Sequence, residues 1–373
     1  MINARVEHTG SLLRPPYLRQ AREAKADGQL TDDEFKAVED HAVREIIAMQ
    51  EEAGLPVIND GELRRDSFQA ELAAACDGFT GVDMDAWLWG DWHSAQAQVG
   101  DQSTARPPGL AVTGRLHKRR NLAAEEFTFV RACTNRQAKV TLPSPSLFAN
   151  LWDPRLSSGA YPTLDSFLDD VVGILCEEVR ELVRLGCGYI QLDAPHYPLL
   201  LDPVWREFYE QRGWPLQRWL SYGIELDNAV IDAGRPATFG FHLCRGNQLG
   251  RWLVAGDYEP IAGPIFGGVH AGRLLLEYDD ERSGGFDPLR LAGPDKVLVL
   301  GLVTTKTSRV ETAQEITHRL RVAAGVVGAD RLAVSPQCGF ATSVQGNPVS
   351  PDAQRAKLAQ LVTVANDFFL PLR

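Results

Sequence analysis

Short apolar runs alternate with helical patterns along most of this chain, and that rhythm constrains its fold more than any other feature. Eight runs read as strands, at about 4–8, 56–60, 138–142, 188–193, 237–243, 273–277, 296–303 and 331–335. Most lead into a stretch with helical spacing. The helix that begins at Thr31 carries its own start and stop signals: Thr31 and Glu34 form a capping box, and Gly54 closes the pattern. Several strands, "KVLVLGLV" among them, are nearly all apolar, as parallel strands covered on both faces should be. The count predicts an α/β fold, a (β/α)8 TIM barrel spanning 1–373 as a single domain; a doubly wound open sheet is the rival.

One region breaks the rhythm. Residues 78–135 carry Trp87, Trp89 and Trp92 among glycines and prolines. They are expected to form an insertion between the second and third strands, partly antiparallel. It either covers the barrel mouth or packs as a structural flap.

The 373 residues are 44% hydrophobic, enough for a large core. A formal charge of −11 argues against a nucleic-acid footprint and a polybasic membrane patch. No apolar run reaches the roughly 18 residues of a membrane span. The opening "MINARVEHTG" lacks the apolar core of a signal peptide. The expectation is a soluble cytoplasmic protein, with which a homo-oligomer is compatible. Cys76, Cys133, Cys176, Cys187, Cys244 and Cys338 are too few for a disulfide framework in a chain of this length.

Chemically capable residues gather at one end of the predicted strands. The carboxyl ends carry Gly10 and Ser11, Asp60 to Glu62, Ser144, Asp193 to His196, His242 with Cys244, Glu277, Thr304 to Lys306, and Cys338. In a TIM barrel that is the catalytic face, so the clustering points to an enzyme. His242 and Cys244 lie two apart on a strand and project to the same side. Glu277 ends the next strand and Cys338 follows the last. Two thiolates, an imidazole and a carboxylate make a tetrahedral zinc set. The bland reading is that these cysteines are small buried hydrophobes. Two Cys⁻ and one Glu⁻ more than cancel the charge of Zn²⁺. A site so electron-rich activates water poorly and suits holding a substrate thiol as a nucleophilic thiolate. The implied reaction is S-alkylation, the entering sulfur displacing Glu277.

The segments "HTGSLLRP", "DGELRRD", "YIQLDAP", "HLCRGN", "LLLEYDD" and "SPQCGF" occur in this order. Together they resemble the catalytic barrel of cobalamin-independent methionine synthases and their single-barrel relatives, over nearly the whole chain outside 78–135. The resemblance implies methyl transfer to the sulfur of homocysteine, with Zn²⁺ on His242, Cys244, Glu277 and Cys338. It implies that Ser11, Glu62 and Asp193 hold the amino-acid thiol, and that the partners are a small thiol and a methyl donor. The chemistry agrees: Glu62 or Asp193 suits an ammonium group, and the backbone and hydroxyl at Gly10 and Ser11 suit a carboxylate.

The departures concern the donor. Where the methionine synthases carry an aspartate and a histidine for proton transfer, this chain reads "GLVTTKTS". Thr304 falls near the aspartate position and Lys306 on that of the histidine. Lys306 can still donate a proton or pair with an anion. His196, at the mouth, is the other candidate for proton transfer, set against a purely structural role. The aromatic platform for a pterin is not obvious; Phe148 and Trp152 lie in shifted places. The alternative is therefore epoxide opening by a sulfonated thiol, coenzyme M, with Lys306, Arg14 or Arg245 binding the sulfonate or protonating the alkoxide. A third reading is non-catalytic binding of thiols or tetrapyrroles. Arg64 and Arg65 either bind substrate anions or are solvated. Asp279 and Asp280 are expected to orient ligands or their loop.

Overall fold

The computed structural model describes residues 2–67, 70–82, 92–93 and 109–369. The strands are β1 (Val57–Ile58), β2 (Cys76–Val82), β3 (Gly109–Lys118), β4 (Gln137–Ala138), β5 (Val140–Pro143), β6 (Tyr189–Asp193), β7 (Thr238–Leu243), β8 (Arg273–Glu277), β9 (Val297–Val303) and β10 (Leu332–Pro336). Six of them lie side by side in the order β10-β9-β8-β7-β6-β5, every pair parallel. Spatial order follows chain order, whereas a doubly wound sheet reverses at a switch point. β6, β8 and β10 are buried at every residue, polar Gln191, Arg273 and Ser335 included, as parallel strands covered on both faces are.

Short contacts extend this sheet at both edges. β1 pairs in parallel with β4, which Lys139 alone separates from β5, and the Lys139 N–H donates to the Ile58 carbonyl at 2.8 Å. At the other edge Val6 forms a parallel bridge with Val334 of β10. The pairings among the described residues thus make a parallel sheet rather than a closed ladder. The strand expected at 4–8 is reduced to that bridge. The His8 and Thr9 carbonyls accept from the buried Lys139 ammonium, and a carbonyl spent in this way is lost to a neighbouring strand.

Capping signals act where the sequence places them. Thr31 and Glu34 form the reciprocal box at the start of the helix Asp32–Glu52, and Gly54, beyond its end, has φ 84°. Thr163 and Thr312 cap the helices Leu164–Arg184 and Ala313–Val327 likewise. The first of these sends Phe167, Leu168, Val171, Leu175, Val179 and Leu182 into the main core, a stripe at helical spacing.

Within 78–135, β2 and β3 pair antiparallel and the helix Leu122–Cys133 follows. Trp87 and Trp89 lie outside the described residues. His93 forms an antiparallel bridge with Trp252, in the loop beyond β7. No helix among the described residues is long and apolar enough to cross a membrane.

A charged cluster occupies the amino ends of the strands. Glu7 accepts from Lys139 Nζ at 3.0 Å, from Arg273 at 2.8 and 3.0 Å, and from the Tyr189 hydroxyl at 2.8 Å. Arg273 opens β8, Tyr189 opens β6 and Lys139 precedes β5; all are buried. Burial by itself would raise the Glu7 carboxyl, but Lys139 and Arg273 outweigh it and hold it at about 2.

Candidate functional site

The carboxyl ends of the same strands are built differently. β7 is flanked by β6 and β8, so its backbone is fixed on both sides, and it delivers His242 as its penultimate residue. Cys244 follows one residue past its end. Cys338 comes from the turn after β10, whose backbone is tied back to β9 by the Gln337 N–H on the Val303 carbonyl at 2.8 Å. The His242 imidazole and the sulfurs of Cys244 and Cys338 offer three ligand atoms within 4.8 Å of one another. Relative exposures are 3%, 6% and 9%, so water solvates none of them well.

Two observations test whether this trio fits a metal. His242 Nδ1 lies 3.2 Å from the Leu275 carbonyl, a contact in which Nδ1 donates, so Nε2 is the nitrogen left to serve an ion. Nε2 is buried and has no hydrogen-bond partner. A buried nitrogen without a partner is costly unless something else takes its lone pair. The second observation concerns sulfur: its hydrogen bond with Cys244, and burial behind that, push the Cys338 thiol well above its ordinary range. A cation between the sulfurs reverses that cost. Two sulfurs and an imidazole are soft donors that suit a tetrahedral ion, and the site fits one.

Glu277, expected as the fourth ligand, ends β8 but does not join the convergent trio. Its Oε2 accepts from the Arg245 backbone N–H at 2.7 Å. Its Oε1 accepts from Arg282 Nη2 at 2.6 Å and from Lys306 Nζ at 3.4 Å. Burial would raise this carboxyl; Lys306, Arg282 and Arg245 override it and hold it at about 2. Lys306 also reaches Asp279 at 3.5 Å. Asp279 and Asp280 pair with Arg282 rather than with a metal ligand.

Beside the trio, β6 and the loop after β1 supply a pair of acids. Asp193 ends β6 and is in register with His242. Glu62 sits in the loop after β1 with φ 56°, a left-handed conformation that a residue with a Cβ adopts at a cost. The Asp60 carboxylate accepting from the Glu62 N–H at 2.9 Å helps to hold that turn. Glu62 Oε1 accepts from Thr141 Oγ1 at 2.8 Å, and Asp193 Oδ1 accepts from Gln191 Nε2 at 2.7 Å. Among the described residues neither carboxylate has a salt-bridge partner. Burial raises both above the ordinary range, and Asp193 adds its charge to that felt by Glu62. Gly10 is required beside the pair, because a Cβ there would lie 2.4 Å from Glu62 Oε1.

Ser11 faces the turn that carries Cys338. Its Oγ accepts from the Ala341 N–H at 3.3 Å, its carbonyl accepts from the Phe340 N–H at 2.8 Å, and a Cβ on Gly339 would come within 2.0 Å of Oγ. Among the described residues the Ser11 hydroxyl donates to no acceptor.

His196 is buried in a network that the sequence did not suggest. Its Nε2 shares a hydrogen bond with Ser146 Oγ at 2.9 Å. Ser146, Ser144 and Tyr197 all donate to Asp227, at 3.0, 2.6 and 2.7 Å. Burial lowers His196 to about 3, so its ring is neutral, and Nδ1 is unpartnered. Asp227 lies 81 residues from Ser146 and carried no local signal. Gln191 could have been found, since it shares a strand face with Asp193.

The remaining arginines are committed. Arg65 is neither solvated nor open to an anion: it is buried, donates to Glu126, and meets Thr141, which in turn holds Glu62. Arg64 pairs with Glu39 and Asp40. Arg14 donates to the carbonyls of Glu62, Arg65, Ala341 and Ser343. Arg245 donates to those of Gly256, Glu277 and Ser283. With Lys306 on two carboxylates, the three cations offered for a sulfonate are already taken.

Comparison with known proteins adds the following. The family model for the cobalamin-independent synthase catalytic domain matches residues 8–248 and 269–367. The uncharacterized Bacillus subtilis protein YxjH is 31% identical, over 97% of this chain and 94% of its own. A methionine synthase of Pyrococcus abyssi is 27% identical, over 89% of this chain and 84% of its own. The structure of a B12-independent methionine synthase from Shewanella sp. W3-18-1, in complex with selenomethionine, matches with a TM-score of 0.74 at 20% identity, covering 99% of this chain and 98% of that one; it shares the fold.

Proposed function

The chain belongs to the family of cobalamin-independent synthase catalytic domains, and on that premise we propose a zinc-dependent methyltransferase that acts on a small thiol, homocysteine, to form methionine. The observation that carries the reading is the convergence of His242, Cys244 and Cys338 around a buried, unpartnered imidazole nitrogen. These three would hold the ion, and Glu277 is the fourth ligand that the family resemblance implies. A zinc ion held there would keep a substrate thiol deprotonated at neutral pH and its sulfur nucleophilic.

The chain's own residues do the rest. Glu62 and Asp193 pair with the ammonium group of the amino-acid thiol, which relieves their mutual repulsion. Ser11 donates its free hydroxyl proton to the substrate carboxylate. With both ends of the amino acid held, its side-chain sulfur is directed towards the trio. Lys306 and His196 are the groups to manage the proton that the methyl donor needs. His196 offers a neutral ring with one free nitrogen, whereas Lys306 is tied to Glu277 and Asp279.

The same reading treats the parallel sheet as most of an eight-stranded barrel in one domain over 1–373, with 78–135 inserted after the second strand. The Val6–Val334 bridge and the Leu12 N–H on the Gly61 carbonyl support that closure. The buried thiols of Cys187, Cys244 and Cys338 suit a reducing compartment, and a cytoplasmic enzyme is the reading they support. Epoxide opening with a sulfonated thiol is disfavoured by the commitments of Arg14, Arg245 and Lys306.

The test is zinc X-ray absorption on the purified protein. One equivalent of zinc with two sulfur ligands is expected, rising to three on addition of homocysteine. Protein that takes up no zinc, or whose zinc spectrum ignores homocysteine, would overturn the reading.

A further inference from the structure

We infer that Asp227 is a positioning residue: through Ser146 it fixes the tautomer of His196, with the proton on Nε2 and with Nδ1 as the lone pair that takes a proton from a bound N–H, O–H or S–H donor. That role for His196 rests on the function proposed above; its tautomer does not.

A count of protons decides the tautomer. Asp227 lies in the helix Ile224–Ala233 and is fully buried, as are Ser144, Ser146 and Tyr197. Its Oδ1 accepts from the Ser144 hydroxyl at 2.6 Å, and its Oδ2 from the Tyr197 hydroxyl at 2.7 Å. Ser146 Oγ lies 3.0 and 3.1 Å from the two carboxylate oxygens and 2.9 Å from His196 Nε2. A serine has one proton to give. A carboxylate accepts it more strongly than a neutral imidazole does. Ser146 therefore donates to Asp227 and accepts from His196 Nε2–H. The opposite arrangement would bury an Nδ1–H with nothing to receive it, since Nδ1 has no partner.

The surroundings hold this arrangement in place. The Ala194 N–H donates to the His242 carbonyl at 2.9 Å, which ties the turn between β6 and His196 to the strand that carries the metal-site histidine. A turn of π-helix, Trp219–Gly223, leads into the helix of Asp227. Single turns of this kind are frequent at functional sites. The Trp219 ring lies 5.0 Å from that of His196, and a Cβ on Gly223 would come within 3.0 Å of the Tyr197 hydroxyl.

The relay balances. A bound donor gives its proton to Nδ1 and keeps the bonding pair. Nε2–H passes its proton to Ser146 Oγ, and Ser146 passes its own to an Asp227 oxygen. The ring ends neutral with its proton on Nδ1, and Asp227 ends as the carboxylic acid. No buried imidazolium forms, which suits a ring that burial holds at about 3. Asp227, which burial raises to about 6, is placed to hold the proton near neutral pH. The reverse sequence returns it.

The test is long-range proton–nitrogen correlation NMR on the full chain carrying isotope-labelled histidine, with His196→Gln to identify the ring's signals. Turnover of homocysteine with methyltetrahydrofolate is measured beside it. Wild type at neutral pH is expected to show His196 protonated on Nε2 and bare on Nδ1, and that spectrum needs no variant to fold. Asp227→Asn frees the Ser146 proton for Nε2. It is expected to move the ring towards the Nδ1–H tautomer and to lower kcat at least about tenfold, with KM for homocysteine within about threefold. Wild type protonated on Nδ1, or an Asp227→Asn ring that keeps its tautomer, overturns the inference. A shifted tautomer with unchanged kcat overturns the positioning role, because Nδ1 then serves no step. Wild type whose zinc spectrum ignores homocysteine overturns the proposed function and the role of His196 with it, while the tautomer is still decided by the NMR spectrum.

Discussion

Two buried polar clusters occupy opposite ends of the same strands, and the protein treats them in opposite ways. At the amino ends, Glu7 meets Lys139, Arg273 and Tyr189, and both its oxygens are taken. At the carboxyl ends, His242 Nε2 has no hydrogen-bond partner, Cys244 pushes the Cys338 thiol up, and Asp193 adds its charge to that felt by Glu62. Burial is similar in both places, so burial does not distinguish them. Satisfaction does. The first cluster closes on itself and holds the interior of the sheet. The second leaves the His242 Nε2 and the carboxylates of Glu62 and Asp193 short of partners among the described residues. A buried group left short of partners is costly, and the protein keeps such groups where ligands complete them.

The largest effect should come from the second cluster. Cys338→Ser is expected to abolish zinc uptake and turnover while leaving the unfolding midpoint of the metal-free protein nearly unchanged. Metal analysis and a denaturant melt read the two halves. If the metal-free melt collapses instead, the cysteine belongs to the core and the contrast breaks.

Glu7→Gln is the reciprocal experiment. It strands two buried cations and should cost about 3–5 kcal/mol in urea unfolding without changing the zinc ligands. The pH dependence has a definite sign. The folded carboxyl is depressed from 4.5 to about 2, so its contribution is complete above pH 4.5 and is lost as pH falls towards 2. Wild type should lose stability over that window, and Glu7→Gln should show a flatter profile there.

Glu62→Gln and Asp193→Asn should separate function from stability. Each removes a charge from a repelling pair, so the ligand-free fold should melt no earlier than wild type. The KM for homocysteine should rise roughly 10–100-fold, the worth of one charge-assisted hydrogen bond. A variant with lower melting temperature and unchanged KM would place these acids with Glu7.

Gln191 sharpens the comparison because it touches both clusters, accepting from Lys139 at 2.9 Å and donating to Asp193 at 2.7 Å. Gln191→Ala should have the smallest effect, about 1 kcal/mol in stability and a few-fold in KM. An effect confined to stability would show that the link to Asp193 is idle.

Much of this contrast is written in the chain. The i, i+2 spacing of His242 and Cys244 puts both on one side of a strand, and Cys338 follows a strand of the same sheet. Ser11, Glu62 and Asp193 stand at strand ends or the loops just beyond them. What the chain does not display is partnership. Arg65 reads as a surface or anion-binding residue, yet its carboxylate is Glu126, 61 residues on. His196 reads as a lone histidine, yet it shares Ser146 with Asp227. The insertion's Trp87 and Trp89 fall outside the described residues.

Local sequence by itself determined the alternation of strand and helix, the helix caps and the end of the sheet at which the chemistry gathers. Period and capping are set within a few residues, so they are legible there. Tertiary structure alone decided that the first strand dwindles to a bridge, its Ala4 and His8 carbonyls taken by Arg273 and Lys139, and that Glu277 faces Arg282 and Lys306. A charged side chain follows the strongest partner within reach, and which partner is in reach is known only once distant segments have been packed together.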